Sequence, residues 1–215
     1  MRKTERMNKI YQSGIIAVIR RPDPEKIMPI AEALLAGGID TLEITADSER
    51  AYEMIEKVKK EFGDKALVGA GTVLDEVTAR HALEAGSDFI FAPNYDRVTV
   101  EIGNRYGAVT IPGVMTPTEI VSAYTAGADL VKIFPAASLG SSYLKDLQGP
   151  LGHIPMIPTG GINLDNVEAY INNGAYAVGA GGSLMNKQLL EAEDFEGLAE
   201  LARNFAQKVK DARKE

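Results

Sequence analysis

The chain has 215 residues, 45% of them hydrophobic and 25% charged, a balance that excludes a disordered or fibrous chain and predicts a single folded domain over 1–215. The net charge of -7 argues against nonspecific binding to nucleic acid, which needs a cationic surface. Cysteine is absent, which excludes disulfides, zinc thiolates and thiol nucleophiles, and no apolar run approaches the roughly 18 residues of a membrane span, so a cytoplasmic protein is expected.

Met7, Ile10 and Tyr11 recur at helical spacing and predict a short amphipathic helix through Gln12. The basic residues before it are not followed by the long apolar core of a signal peptide. Beyond it, short β-branched runs alternate with longer helical patterns. Strands are predicted over 14–20, 41–45, 66–70, 89–92, 108–111, 130–134, 156–159 and 177–179. The segments between them include helices over 24–36, 48–61, 75–85, 117–126 and 163–173. A charged amphipathic helix over 194–214 closes the pattern, with Phe195, Leu198, Leu201 and Phe205 on its apolar face.

Gly37, Gly86, Gly127 and Gly174 are expected to end helices in the left-handed conformation. A repeated Ala-Gly-x-Asp phrase, ending in Asp40, Asp88 and Asp129, marks equivalent helix-to-strand turns. Eight strand–helix units, with no G-x-G-x-x-G after the first strand, favour a (β/α)8 TIM barrel with a short N-terminal helix over a doubly wound open sheet.

In such a barrel the site lies at the C-terminal ends of the strands. Lys132 sits in Leu130-Val131-Lys132-Ile133-Phe134-Pro135 among apolar neighbours, where an ammonium is costly to desolvate. A neutral amine there attacks a ketone and forms an imine, although on pattern alone a lysine snorkelling to water fits equally well. Glu43, in Thr41-Leu42-Glu43-Ile44-Thr45, faces either the helical layer or the polar barrel mouth, and the mouth is the cheaper place for a carboxylate. Near Lys132 it would act as general acid and base.

Paired glycines follow the seventh and eighth predicted strands, Gly160-Gly161 and Gly181-Gly182, the second pair followed by Ser183. Barrels bind phosphate in these two loops, where unpaired amides favour an anion. Thr72 reads either as a carboxylate donor or as a helix cap. His81 and His153 lack a partner histidine at ligand spacing, so no metal site is expected.

These residues resemble the 2-keto-3-deoxy-6-phosphogluconate and 4-hydroxy-2-oxoglutarate aldolase family, the class I pyruvate-dependent aldolases. The likeness is carried in order by Leu42-Glu43-Ile44-Thr45, Val68-Gly69-Ala70-Gly71-Thr72-Val73, Ala92-Pro93-Asn94, the segment from Ile111 through Pro112-Gly113-Val114 to Glu119, Val131-Lys132-Ile133-Phe134-Pro135-Ala136 and Pro158-Thr159-Gly160-Gly161-Ile162. The resemblance implies Lys132 as the imine lysine and Glu43 as the proton-transfer residue. It places Thr72, Pro93 and Phe134 around the pyruvyl group, with Thr159 counted among the substrate-binding residues, and Gly160, Gly161 and Ser183 at the phosphate.

It further implies cleavage of a keto-deoxy sugar acid phosphate to pyruvate and an aldehyde, no cofactor, and a homotrimer. Without the imine, the same barrel would read as a phosphate-binding epimerase or isomerase, or as a catalytically silent module. One departure stands out. Many relatives carry an arginine four residues after the glutamate to hold the substrate carboxylate, and this chain has Asp47, whose charge is expected to repel it. Arg20, ending the first predicted strand as in galactonate-type members, is the candidate replacement, with Arg21 beside it as the alternative.

Overall fold

The computed structural model describes residues 1–214. The strands are β1 Ile15–Ile19, β2 Thr41–Thr45, β3 Leu67–Gly71, β4 Phe89–Phe91, β5 Val109–Ile111, β6 Gly113–Val114, β7 Val131–Ile133, β8 Met156–Pro158 and β9 Val178–Ala180. The helices are α1 Lys3–Ser13, α2 Ile27–Ala36, α3 Ala51–Phe62, α4 Glu76–Glu84, α5 Arg97–Arg105, α6 Pro117–Thr125, α7 Ala136–Leu151, α8 Val167–Asn172, α9 Lys187–Glu191 and α10 Phe195–Ala212. Among the described residues no helix is long and apolar enough to cross a membrane.

All strand pairs are parallel, and the strands form a curled α/β sheet in two ladders. One runs β5-β4-β3-β2-β1-β9 and the other β6-β7-β8. The fifth strand expected over 108–111 is β5, and past Pro112 the chain adds a further short segment, β6, that pairs with β7 and not with β4. Pro112 between β5 and β6 has no N–H to give to a ladder, and its carbonyl instead accepts from the Lys132 amide at 2.8 Å. At the other seam, Thr159 bridges to Gly179 in parallel.

Alternation along the strands sorts the apolar side chains into two clusters. Ile15, Ala17, Leu42, Ile44, Val68, Ala70, Val131 and Ile133 point outward and pack with helix residues such as Ile30, Leu34, Ile55, Leu198 and Phe205. Ile16, Leu67, Phe89, Phe91, Val109, Ile111, Leu130, Ile157 and Ala177 face the opposite way and pack with one another and with Ile10 and Met7 of α1.

The helix α1 therefore closes the N-terminal end of the strands, and the Ala-Gly-x-Asp turns show how. Lys3, Arg6 and Lys9, one helical turn apart, pair with Asp129 at 2.8 Å, Asp88 at 3.1 Å and Asp40 at 3.6 Å, the three aspartates that end the repeated phrase. With that end sealed, the opposite, C-terminal end is left for ligands.

Helix starts follow side-chain chemistry. Asp75, Asp96 and Asp194 accept from the amides of Thr78, Thr99 and Gly197 at 2.8, 2.7 and 2.8 Å. Several expected boundaries move. Residues 24–26 are a 3-10 turn before α2, and α3 begins only at Ala51. The helix expected over 163–173 shortens to α8, because Asn163 and Asn166 bond each other's backbone and hold a turn ahead of it.

Of the four glycines expected to be left-handed, Gly86, Gly127 and Gly174 are, with φ of 91°, 95° and 92°. Gly37 is not: its φ is -79°, and the left-handed residue is Gly38 at 89°. Gly37 serves close approach instead, since a Cβ there would overlap Ala202 and the Ala199 carbonyl of α10.

Candidate active site

Lys132 lies at the middle of β7 on the inner face, with Leu130 below it. It is 4% exposed, and its Nζ rests 4.3 Å from the centre of the Phe91 ring and 4.7 Å from that of Phe134. Burial pushes the amine below the ordinary lysine range; Glu43 opposes the shift and Arg20 adds to it.

Glu43 is the inner residue of β2 and is fully buried. Among the described residues neither of its carboxylate oxygens has a hydrogen-bond partner. Burial raises its pKa to about 7, against the opposing pull of Lys132 and Arg20. Space for it comes from β3: a Cβ at Gly71 would overlap the Glu43 carboxylate. On pattern alone either face was open to Glu43 and a snorkelling position to Lys132, and both side chains turn out to be buried on the inner face.

Above them opens a cleft of about 570 Å³. Val18, Arg20, Lys132, Phe134 and Thr159 line it together with Gly160, Gly161, Gly181, Gly182 and Ser183. Gly160 and Gly161 have φ of 95° and 76°. The amides of Gly161, Gly182 and Ser183 have no backbone partner among the described residues, so two glycine turns present donors to one opening. The Ser183 hydroxyl donates to the Ile162 carbonyl and ties these turns together. Gly179 leaves room for Thr159, whose side chain a Cβ there would meet.

Arg20 sits where β1 ends, with its side chain 53% exposed. Its guanidinium donates to the Thr72 hydroxyl at 3.4 Å and lies 3.8 Å from Asp47. Asp47 is engaged by Arg21, at 2.9 Å from Nε and 2.8 Å from the terminal nitrogen, which separates the roles of the two arginines. The Arg21 amide donates to Ser48, which bonds Thr45, so this pair is latched to the end of β2. Arg21 and Thr72 have positive φ, 47° and 56°, a costly conformation for residues with a Cβ, and both flank Arg20. Pro93 is not among the cleft residues; its backbone abuts Gly113, where a Cβ would overlap it.

The arrangement brings a desolvated amine, a half-exposed guanidinium and a set of amides without backbone partners to one opening, with a carboxyl of raised pKa buried beneath it. That set suits imine chemistry on a keto acid carrying a second anionic group. One residue escaped the sequence reading. Phe91 touches the amine, and the available signal was its place at the C-terminal end of its strand on the same face as Phe89. Gly71, within the Val68-Gly69-Ala70-Gly71-Thr72-Val73 motif, frees the volume that Glu43 occupies.

A family model described as KDPG and KHG aldolase matches residues 7–201. A 2-dehydro-3-deoxy-phosphogluconate aldolase of Treponema pallidum is 33% identical over 91% of this chain and 93% of its own length. A solved structure titled native KDPGal superposes with a TM-score of 0.88 at 30% identity, covering 94% of this chain and 96% of the other. The KDPG aldolase of Legionella pneumophila, solved with pyruvate captured as a covalent carbinolamine, gives a TM-score of 0.85 at 30% identity over 92% and 96%. The chain belongs to the KDPG and KHG aldolase family and is a class I, pyruvate-dependent aldolase.

Proposed function

We propose that this aldolase reversibly cleaves a 2-keto-3-deoxy-6-phospho sugar acid to pyruvate and glyceraldehyde 3-phosphate, with Lys132 forming the imine and Glu43 moving the protons. 4-Hydroxy-2-oxoglutarate, yielding glyoxylate, falls within the same chemistry. The observation that carries the reading is the buried pair: an amine whose neutral form is favoured by burial beside a carboxyl with a pKa of about 7.

Lys132 Nζ adds to the C2 carbonyl, and protonated Glu43 delivers a proton to the departing hydroxyl as water leaves. The iminium results. Glu43, now ionised, takes the proton of the C4 hydroxyl as the C3–C4 bond breaks. The bonding pair flows to the iminium nitrogen, giving an enamine and the aldehyde. Glu43 returns its proton to C3, and hydrolysis of the imine releases pyruvate. A carboxyl that titrates near neutrality serves both directions of transfer.

The Arg20 guanidinium and the Thr72 hydroxyl hold the substrate carboxylate, and the strained backbone at Arg21 and Thr72 supports this placement. Arg20 stands in the position resembling galactonate-type members, and both the gluconate- and the galactonate-derived substrates fall within this reading, since they carry the same carboxylate. The phosphate is held by the free amides of Gly161, Gly182 and Ser183, with Gly160 and Gly181 shaping the turns. Pro93 supports the site from behind Gly113.

We also read the two ladders as one closed (β/α)8 barrel forming a single domain over 1–215. The Thr159–Gly179 bridge, the 2.9 Å bond from the Tyr176 amide to the Met156 carbonyl, and the bonds from Leu130 and Lys132 to Thr110 and Pro112 support closure. A cytoplasmic homotrimer is proposed on family resemblance.

The reading is tested by following pyruvate release from the gluconate- and galactonate-derived 6-phosphates. Release is expected from at least one; no release from either overturns the reading.

A further inference from the structure

We propose that Phe91 is a positioning residue for this reaction, its ring face forming the floor that carries the Lys132 amine and aims Nζ at the cleft. The inference rests on Lys132 being the imine lysine.

Phe89 and Phe91 share the inner face of β4, yet their surroundings differ. Phe89 fills space left by Gly69, where a Cβ would overlap its ring, and it belongs to the apolar packing below the site. Phe91 is one layer higher, in register with Gly71, the residue that makes room for Glu43. It is fully buried and takes no part in lining the cleft, whereas Phe134 does line it. Nζ is nonetheless closer to the Phe91 ring than to that of Phe134, 4.3 against 4.7 Å. The amine is thus backed by one ring on the barrel side and flanked by another at the opening.

A phenyl face suits this position physically. Its negative quadrupole stabilises an ammonium or iminium within about 6 Å of the ring centre. It has no lone pair to bind the amine proton and no atom that competes for the ketone. It also keeps water from the barrel side of Nζ. The charged groups acting on the amine are Glu43 from β2, which favours its protonated form, and Arg20 beyond β1, which disfavours it. Phe91 acts with Glu43, offsetting burial and keeping the nitrogen able to carry the positive charge of the iminium.

The test replaces the ring's electronics without its shape. Phe91→pentafluorophenylalanine reverses the quadrupole in a nearly isosteric ring, and Phe91→Leu removes it. For each protein, the rate of pyruvate-dependent borohydride trapping on Lys132 is followed against pH, which reports the titration of the free amine. Both substitutions are expected to move the midpoint to lower pH, by about 0.4–1.5 pH units for a contact of cation–π strength. If Phe91→Leu does not fold, the fluorinated ring decides alone. Profiles that superimpose on that of the unmodified protein overturn the inference while leaving Lys132 in place; absence of any pyruvate adduct on Lys132 in the unmodified protein overturns the imine assignment itself.

Discussion

Glu43→Gln replaces a buried carboxyl by a neutral side chain of the same shape and separates two consequences of one environment. The folded carboxyl has a pKa of about 7 against 4.5 in its ordinary state, because burial disfavours the charge. The native protein therefore holds a proton there that the unfolded chain has lost. Its stabilising linkage is fully present below pH 4.5 and disappears as pH rises through about 7. At about 1.4 kcal/mol per pH unit, the difference of roughly 2.5 units makes that loss about 3 kcal/mol. Glu43→Gln lacks it. The variant is thus expected to gain about 3 kcal/mol relative to the wild type between pH 4.5 and 7, as read from urea unfolding at the two ends. Catalysis goes the other way: with no proton to exchange, turnover and the exchange of pyruvate methyl protons into deuterated water should fall by about 10²–10⁴-fold, while pyruvate still binds. Wild-type methyl exchange in the variant, or parallel stability profiles for the two proteins, would refute the reasoning.

Arg20→Ala should raise the pyruvate dissociation constant by about 10–100-fold, the scale of a charged hydrogen bond at a partly exposed site. Arg21→Ala should weaken binding less, by freeing Asp47 to draw Arg20 away, and Asp47→Ala should reverse that loss; equal effects of the two arginine variants in calorimetry would contradict the assignment. Gly161→Ala, at a φ of 76° and against Ala137, should raise KM for the phosphorylated substrate more than the dissociation constant of pyruvate, and equal losses would move the phosphate elsewhere. Arg6→Ala should lower unfolding stability by about 1–3 kcal/mol by removing a partner of buried Asp88, with turnover unchanged; a protein of wild-type stability would mean that this pair does not fasten α1.

The alternation of strands and helices was legible because β-branched runs and helical periodicity are local signals. The break between β5 and β6 was legible only in Pro112, whose missing N–H matters once a neighbouring strand needs it. Gly37 misled because a glycine required for close approach to Ala202, far along the chain, looks the same in sequence as one required for a left-handed turn. The turn aspartates Asp40, Asp88 and Asp129 were visible as a repeat, but their partners in α1 lie too far away in sequence for spacing to reveal. At the site, Lys132 and Glu43 declared themselves as charges within apolar strands. Phe91 did not, since a phenylalanine under an amine and one in a core have identical neighbours in sequence. Ser183 was legible as a residue of the phosphate loops, but the bond from its hydroxyl to the Ile162 carbonyl was not, since the two lie in turns 21 residues apart.

The central claim is that the amine of Lys132 carries the substrate as an imine. Borohydride reduction in the presence of pyruvate, followed by peptide mass analysis, tests it most directly. One reduced pyruvyl group per chain is expected on the peptide containing Lys132, and none in Lys132→Met, whose side chain keeps the length and apolar packing of the strand. A wild-type protein with no adduct, or an adduct that persists in Lys132→Met, would contradict the account.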